Sequence, residues 1–139
     1  MTTIPGIQGD ENAENAENAE RYAKVEKTKV RKEVDREAEK LAKLKGHVLS
    51  NPVRLGIMVY LLSRGIVSFT SLQKVLDLTP GNLDSHVRTL EREGYVKVKK
   101  VISGRPKTAI VLTELGAEET EKYLRVLRKL LETLEDFEF

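Results

Sequence analysis

A change of hydrophobic period at Gly94 constrains this chain more than any other feature. Before it, Leu83, Val87 and Leu90 recur at helical spacing; after it, "YVKVKKVI" alternates as a half-exposed strand does. The stretch ahead of the switch, "TPGNLDSHVRTLEREG", carries its own start and stop signals. Thr79 is a capping residue, Pro80 suits the first helical position and Gly94 suits the end. Only "DLT" separates this helix from an earlier short one marked by Leu72, Val75 and Leu76, for which Thr70 and Gln73 form a capping-box pattern. "SGRPK" then reads as a turn leading to a second strand, "TAIVL". Two short helices around a tight turn, followed at once by a hairpin, leave few folds open.

The second short helix is distinctive on its outer side. Away from the apolar stripe it presents Gly81, Ser85, Arg88 and Arg92, flanked by Asn82 and Thr89. A helix kept only for structure covers that side with Glu and Lys, and Gly81 costs about 0.8–1 kcal/mol relative to Ala. The groove of a DNA duplex admits a helix only if the approaching face is small, and it rewards donors aimed at base edges and phosphates. Gly81 permits close approach, Asn82 and Ser85 can hydrogen-bond, and Arg88 and Arg92 can pair with guanine or phosphate. The hairpin tip carries Arg105 and Lys107 around Pro106, more basic than a turn requires, with a solubilising tip as the plain alternative. A protein-binding module would expose apolar anchors on this helix, and the sequence has none there.

The flanks differ in composition. Residues 1–20, with Pro5, Gly6, Gly9 and the repeat "ENAENAENAE", read as a flexible acidic tail; a period of three makes no helical seam, and a frayed helical start is the other reading. An extension helix is expected over 21–46, since Arg21 to Lys45 contains no Gly or Pro. Val30, Val34, Leu41, Leu44 and Val48 fall on one side of it. Lys29, Lys32, Arg36, Lys40 and Lys43 fall on the other, a stripe suited either to a DNA backbone or to solvent. "SNPVRLGIMVYLLSRG" opens the next helix with Asn51 as cap and Pro52 first, and Ile57, Met58, Leu61 and Leu62 supply core. Ile66 to Phe69 can pair as a strand. Thr113 caps a last helix running towards Phe137, in which Leu124, Leu127, Leu131 and Leu134 keep heptad spacing. So wide an apolar face suggests burial against a second copy, with Val30, Val34, Leu41, Leu124, Leu127, Leu131 and Leu134 as the expected dimer interface.

Composition excludes several chemistries. The 139 residues include no cysteine, which rules out disulfides, thiolate metal sites and cysteine nucleophiles. His47 and His86 lie far apart in sequence, so no metal site and no cofactor are expected. No nucleophile–base pairing, carboxylate cluster or phosphate-binding glycine loop is present, so an enzyme is not expected. No apolar run reaches the length of a membrane span, and the start of the chain lacks the apolar core of a signal peptide. No membrane partner and a cytoplasmic, nucleoid-associated location are therefore expected. A net charge of +2 is too small by itself to imply nucleic acid, so the placement of charge matters more than its total.

Together these segments resemble the winged-helix transcriptional regulators of the ArsR/MarR type, most of all their small archaeal members. "LSNPVRLGIMVYLL" is similar to the family's opening helix, "LDLTPGNLDSHVRTLEREGYV" to its helix-turn-helix, and "GRPKTAIVLTELG" to its wing and the start of its last helix. The likeness covers about residues 48–120 and leaves out the N-terminal extension. It implies a mainly α fold with a small β-hairpin (α+β), a winged helix-turn-helix over 47–112, and a C-terminal dimerisation helix over 113–139. Gly81, Asn82, Ser85, Arg88 and Thr89 would lie at the major groove, with Thr79 and Arg92 completing that face. Arg105 and Lys107 would lie at the wing tip, beside the minor groove or the backbone. His86 falls where the family often has His, in a packing and hydrogen-bonding role. Asp84 departs from the usual small polar residue, and either accepts from a cytosine amino group or stays clear of DNA. The family's metal-sensing cysteines are absent, which leaves any small-molecule effector unknown. The function implied is a homodimeric, sequence-specific regulator that binds double-stranded DNA. A weakly specific architectural chromatin protein and a protein–protein interaction module are the alternatives.

Overall fold

Asn51 shows how local chemistry sets the first boundary of the core. Its side-chain oxygen accepts the backbone N–H groups of Val53 and Arg54 at 2.9 and 3.1 Å, and Pro52, with no N–H to satisfy, starts the helix. The computed structural model describes residues 10–135; the readings made for residues 1–9 and for Phe137 lie outside them. Its elements are α1 (Asp10–Lys43), a 3-10 turn (Val48–Ser50), α2 (Pro52–Leu62), β1 (Ile66–Ser68), α3 (Phe69–Leu76), α4 (Pro80–Arg92), β2 (Val96–Ser103), β3 (Arg105–Leu112) and α5 (Glu114–Glu135). They divide into two units, one formed by residues 44–125 and the other by α1 with the end of α5 from Val126.

In the first unit the expected α+β architecture is present. Ile57, Met58 and Leu61 of α2, Leu72 of α3 and Leu83, Val87 and Leu90 of α4 are buried together with Leu49, Tyr95, Val96 and Ile110. Leu62 is only half-buried. The short run after Gly65 is a strand, and it turns the hairpin into a three-stranded antiparallel sheet of order β1-β3-β2. Ile66 pairs with Val111 and Ser68 with Ala109. Because β1 holds the chain extended to Ser68, α3 starts there and not at Thr70. The Ser68 hydroxyl accepts the N–H of Ser71 at 3.1 Å, which corrects the capping-box reading of Thr70 and Gln73. Asp77 then turns left-handed, with φ +52°, and ends α3.

The start of α5 is fixed by the tightest junction in this unit. Thr113 donates its hydroxyl to the Gly94 carbonyl at 2.6 Å and accepts the Gly116 N–H at 3.0 Å. Its own N–H reaches the Tyr95 carbonyl at 3.1 Å. Gly116 is buried so closely that a Cβ there would run into the Tyr95 carbonyl and meet the Met58 side chain.

In the second unit α1 is a continuous helix of 34 residues. The acidic repeat from Asp10 onward belongs to it, as in the helical-start reading and not the flexible-tail one, for the part described. Alanine and glutamate are strong helix formers, and that propensity needs no apolar seam to act. Val30, Val34 and Leu41 are half-buried, and between them at heptad spacing stands Glu37, only 4% exposed. The Lys40 ammonium lies 3.2 Å from its carboxylate. Glu33, Arg36, Glu37 and Lys40 share a depression with Lys129 and Thr133 of α5, so the two helices meet along this face. Leu127 and Leu134 are half-buried, whereas Leu131 is 63% exposed.

Gly116 generates a direct test. Gly116→Ala should destabilise the protein by about 1–3 kcal/mol through overpacking against backbone. Urea denaturation of the two proteins measures this, and a loss under about 0.5 kcal/mol would contradict the close approach.

Candidate nucleic-acid interface

The exposed face of α4 rests on a well-determined start. The Thr79 hydroxyl accepts the Asn82 N–H at 3.2 Å, and Pro80 occupies the first turn. Thr79, Gly81, Asn82, Ser85, Arg88 and Arg92 are exposed and Thr89 is half-exposed, so all seven expected groove-facing residues line this helix. A Cβ on Gly81 would point into open space, and its φ lies outside the left-handed region. Neither packing nor backbone geometry therefore calls for glycine at this position. What its smallness provides is room outside the protein.

The two arginines of α4 are each held by a neighbour on the same helix. Arg88 donates its Nε to Asp84 Oδ2 at 2.7 Å, a pairing that the sequence reading of Asp84 did not contain. Arg92 donates to the Thr89 hydroxyl at 3.1 Å, and that hydroxyl in turn donates to the Ser85 carbonyl at 3.2 Å. Both arginines, like Ser85, are exposed on this helix, each held by a neighbour one turn back.

On the inner flank, His86 has the packing role expected of it. Its Nδ1 lies 3.3 Å from an Arg54 guanidinium nitrogen, and Arg54 Nε donates to the Val48 carbonyl at 2.6 Å. Burial, and then the positive charge of Arg54, hold the His86 pKa below the ordinary value of 6.5. The imidazole is therefore neutral at pH 7, and its Nδ1 accepts from Arg54 while α4 is held against α2. His47 is engaged elsewhere: its Nδ1 accepts the Leu49 N–H at 3.0 Å and its ring lies on Tyr123, centroids 5.1 Å apart.

The hairpin differs from its sequence reading in one respect. "SGRPK" is not a five-residue turn, because both strands continue to the tip and meet at Gly104, which has φ +79°. Arg105 and Lys107 are strand residues, paired with Ser103 and Val101, and both are exposed. Lys97, Lys99 and Lys100 of β2 are exposed as well, so the basic surface runs along the hairpin and not only at its end. Ile102 is 81% exposed and pairs with Pro106, which adds an apolar point to the tip. Sequence reasoning missed both features, although the Lys-Val alternation of β2 carried the first.

The basic stripe of α1 belongs to the other unit. Lys29, Lys32, Arg36, Lys40 and Lys43 are all exposed, but Lys40 pairs with Glu37 and Lys43 with Glu39 at 3.0 Å.

Comparison with known proteins agrees with this geometry. The family model for a winged helix DNA-binding domain matches residues 53–131. A transcriptional regulator homologue from Pyrococcus horikoshii OT3 is 50% identical, with a TM-score of 0.66 over 71% of this chain and 97% of that one. An uncharacterised protein of Methanocaldococcus jannaschii is 35% identical over 89 residues, covering 63% of this chain and 97% of its own. The S. aureus MepR–DNA complex shares the fold at 22% identity, with a TM-score of 0.55 over 67% of this chain and 68% of that one.

His86 yields a pH prediction. With its folded pKa depressed, the unfolded chain takes up the proton first as pH falls below about 6.5, so stability held above that pH is lost below it. His86→Gln should lose less stability than wild type between pH 7.5 and 5.5, measured by urea denaturation. Equal losses would show that His86 does not contribute. The capped α4, its trimmed outer face and the hairpin beside it, matched by the family model over more than half of the length, establish that the chain belongs to the winged helix DNA-binding domain family.

Proposed function

We propose that this protein is a transcriptional regulator that binds double-stranded DNA sequence-specifically as a homodimer. In this reading α4 enters the major groove and the hairpin lies against the minor groove or the adjoining backbone. One observation carries it: the outer face of α4 is cleared by a glycine that the fold does not require, and it presents two held arginines. Stability is given up at Gly81 for close approach, and hydrogen-bonding groups surround the cleared point. Thr79, Asn82, Ser85, Arg88, Thr89 and Arg92 are the proposed major-groove set, and Arg105 and Lys107 the proposed wing contacts. The DNA-bound MepR structure supports the reading as a relative of the same fold.

The proposed dimer uses the heptad positions of both terminal helices: Val30, Val34 and Leu41 with Leu124, Leu127, Leu131 and Leu134. Leu131 is its best support, since a leucine 63% exposed within such a pattern lacks cover in the single chain. A two-fold dimer would place two recognition helices on successive major-groove faces, so a pseudo-palindromic site is expected. The α1 stripe supplies only sequence-independent attraction, reduced by the carboxylates already beside Lys40 and Lys43.

The deciding experiment selects preferred duplexes from a random pool and compares them with random DNA at fixed salt. Arg88→Ala should cost about 1–3 kcal/mol on the selected site and much less on random DNA. A wild type with no preferred sequence would instead be a weakly specific architectural protein, and no salt-dependent binding would point to a protein-binding module. Sedimentation tests assembly separately. Wild type should be dimeric at micromolar concentration, and Leu131→Glu should give monomers because the charge would be buried without a partner. A monomeric wild type would refute the dimer.

A further inference from the structure

Asp84 and Glu91 are the two acids of α4, both unfavourable beside phosphates, and Asp84 is the one paired with an arginine of the outward face. A carboxylate beside phosphates weakens the counterion-release contribution on which sequence-independent binding depends. Its pairing with Arg88 is exposed on both sides, with side-chain exposures of 51% and 70%, and such surface pairs add little to folding. Neither fold stability nor affinity for DNA in general therefore accounts for an acid there.

The geometry of the pair supplies another role. Asp84 engages Arg88 through Nε at 2.7 Å, at the inner edge of the guanidinium. Among the described residues no hydrogen bond takes up its terminal nitrogens, and two coplanar N–H donors match the O6 and N7 acceptors that guanine presents in the major groove. A free arginine would lose side-chain entropy on docking, whereas one already held by a neighbour loses less. Arg92 provides the contrast within the same helix. Its partner is the neutral Thr89 hydroxyl, so it keeps its full net charge, as suits a phosphate contact.

We propose that Asp84 is a positioning residue: it holds Arg88 to read a guanine and suppresses binding to other DNA. This rests on the DNA-binding reading above, and the experiment separates the two. Full-length wild type, Arg88→Ala, Asp84→Ala and Asp84→Asn are each given the same random duplex pool, and base preference is measured at every position of the half-site. Asp84 is exposed and outside the core, so these variants should fold; thermal unfolding verifies it. Wild type should prefer guanine at one position per half-site, and Arg88→Ala should abolish that preference. Asp84→Ala should reduce the same preference about tenfold while its affinity for random DNA rises. Asp84→Asn keeps an acceptor for Nε but not the charge, so random binding should rise as in Asp84→Ala while most of the guanine preference survives.

Three outcomes overturn the proposal while the DNA-binding reading stands. Asp84→Ala could keep full preference at the Arg88-dependent position. It could lose preference at a different position, in which case Asp84 reads a base itself. Asp84→Asn could lose the preference as fully as Asp84→Ala, which would make charge and not positioning the cause. Absence of any base preference in wild type would overturn both readings together.

Discussion

The junction where α4 ends, the hairpin begins and α5 starts is held by the hydroxyl of Thr113. It donates to Gly94, where α4 has just ended, and accepts from Gly116, where α5 has just begun. The N–H of the same residue binds Tyr95, the residue that leads into β2. One side chain thus ties together the exit of α4, the base of the hairpin and the entry of the last helix. Gly116 makes this possible because only a residue without Cβ lets α5 approach the Tyr95 carbonyl so closely. Loosening this point would free α4 and the hairpin to shift independently of one another.

From that anchor α4 divides its work by face. Leu83, Val87 and Leu90 are buried, His86 is fastened through Arg54 to the carbonyl of Val48, and only the outward third is left to vary. Fixing the inner faces with apolar contacts and one neutral imidazole leaves the charged groups for outside use. Gly81 and Asp84 are two residues on this helix that fold stability alone does not explain. Both lie on or beside the outward face.

Much of this was legible in the sequence, because caps and period act locally. Asn51, Thr79 and Thr113 each cap the helix that the sequence assigns to them, and the switch at Gly94 marks the start of the hairpin. The cap of α3 was not legible, since Ser68 depends on β1 pairing with β3 some forty residues later in the chain. The acidic repeat was legible only in part: Glu and Ala pointed to a helical start, while the missing seam left a tail equally open. Asp84 and Arg88 stand four apart, which the ordinary spacing rule for helix ion pairs makes readable. The sequence reading set Asp84 against a base and left out the side chain one turn away. The proposed DNA contacts follow from residue type and exposure, and sequence gives both only in part: Arg105 and Lys107 were named, but Lys97, Lys99 and Lys100 were passed over as strand alternation.

Glu37 gives the terminal helices a property that an all-leucine seam would lack. A seam of uniform leucines and valines fits its neighbour almost equally well after sliding by a heptad. A nearly buried carboxylate at one position does not, because each displaced alignment would move it away from the depression it shares with Lys129 and Thr133. The acid therefore serves as an index mark on α1, allowing one alignment against α5 at some expense in cohesion.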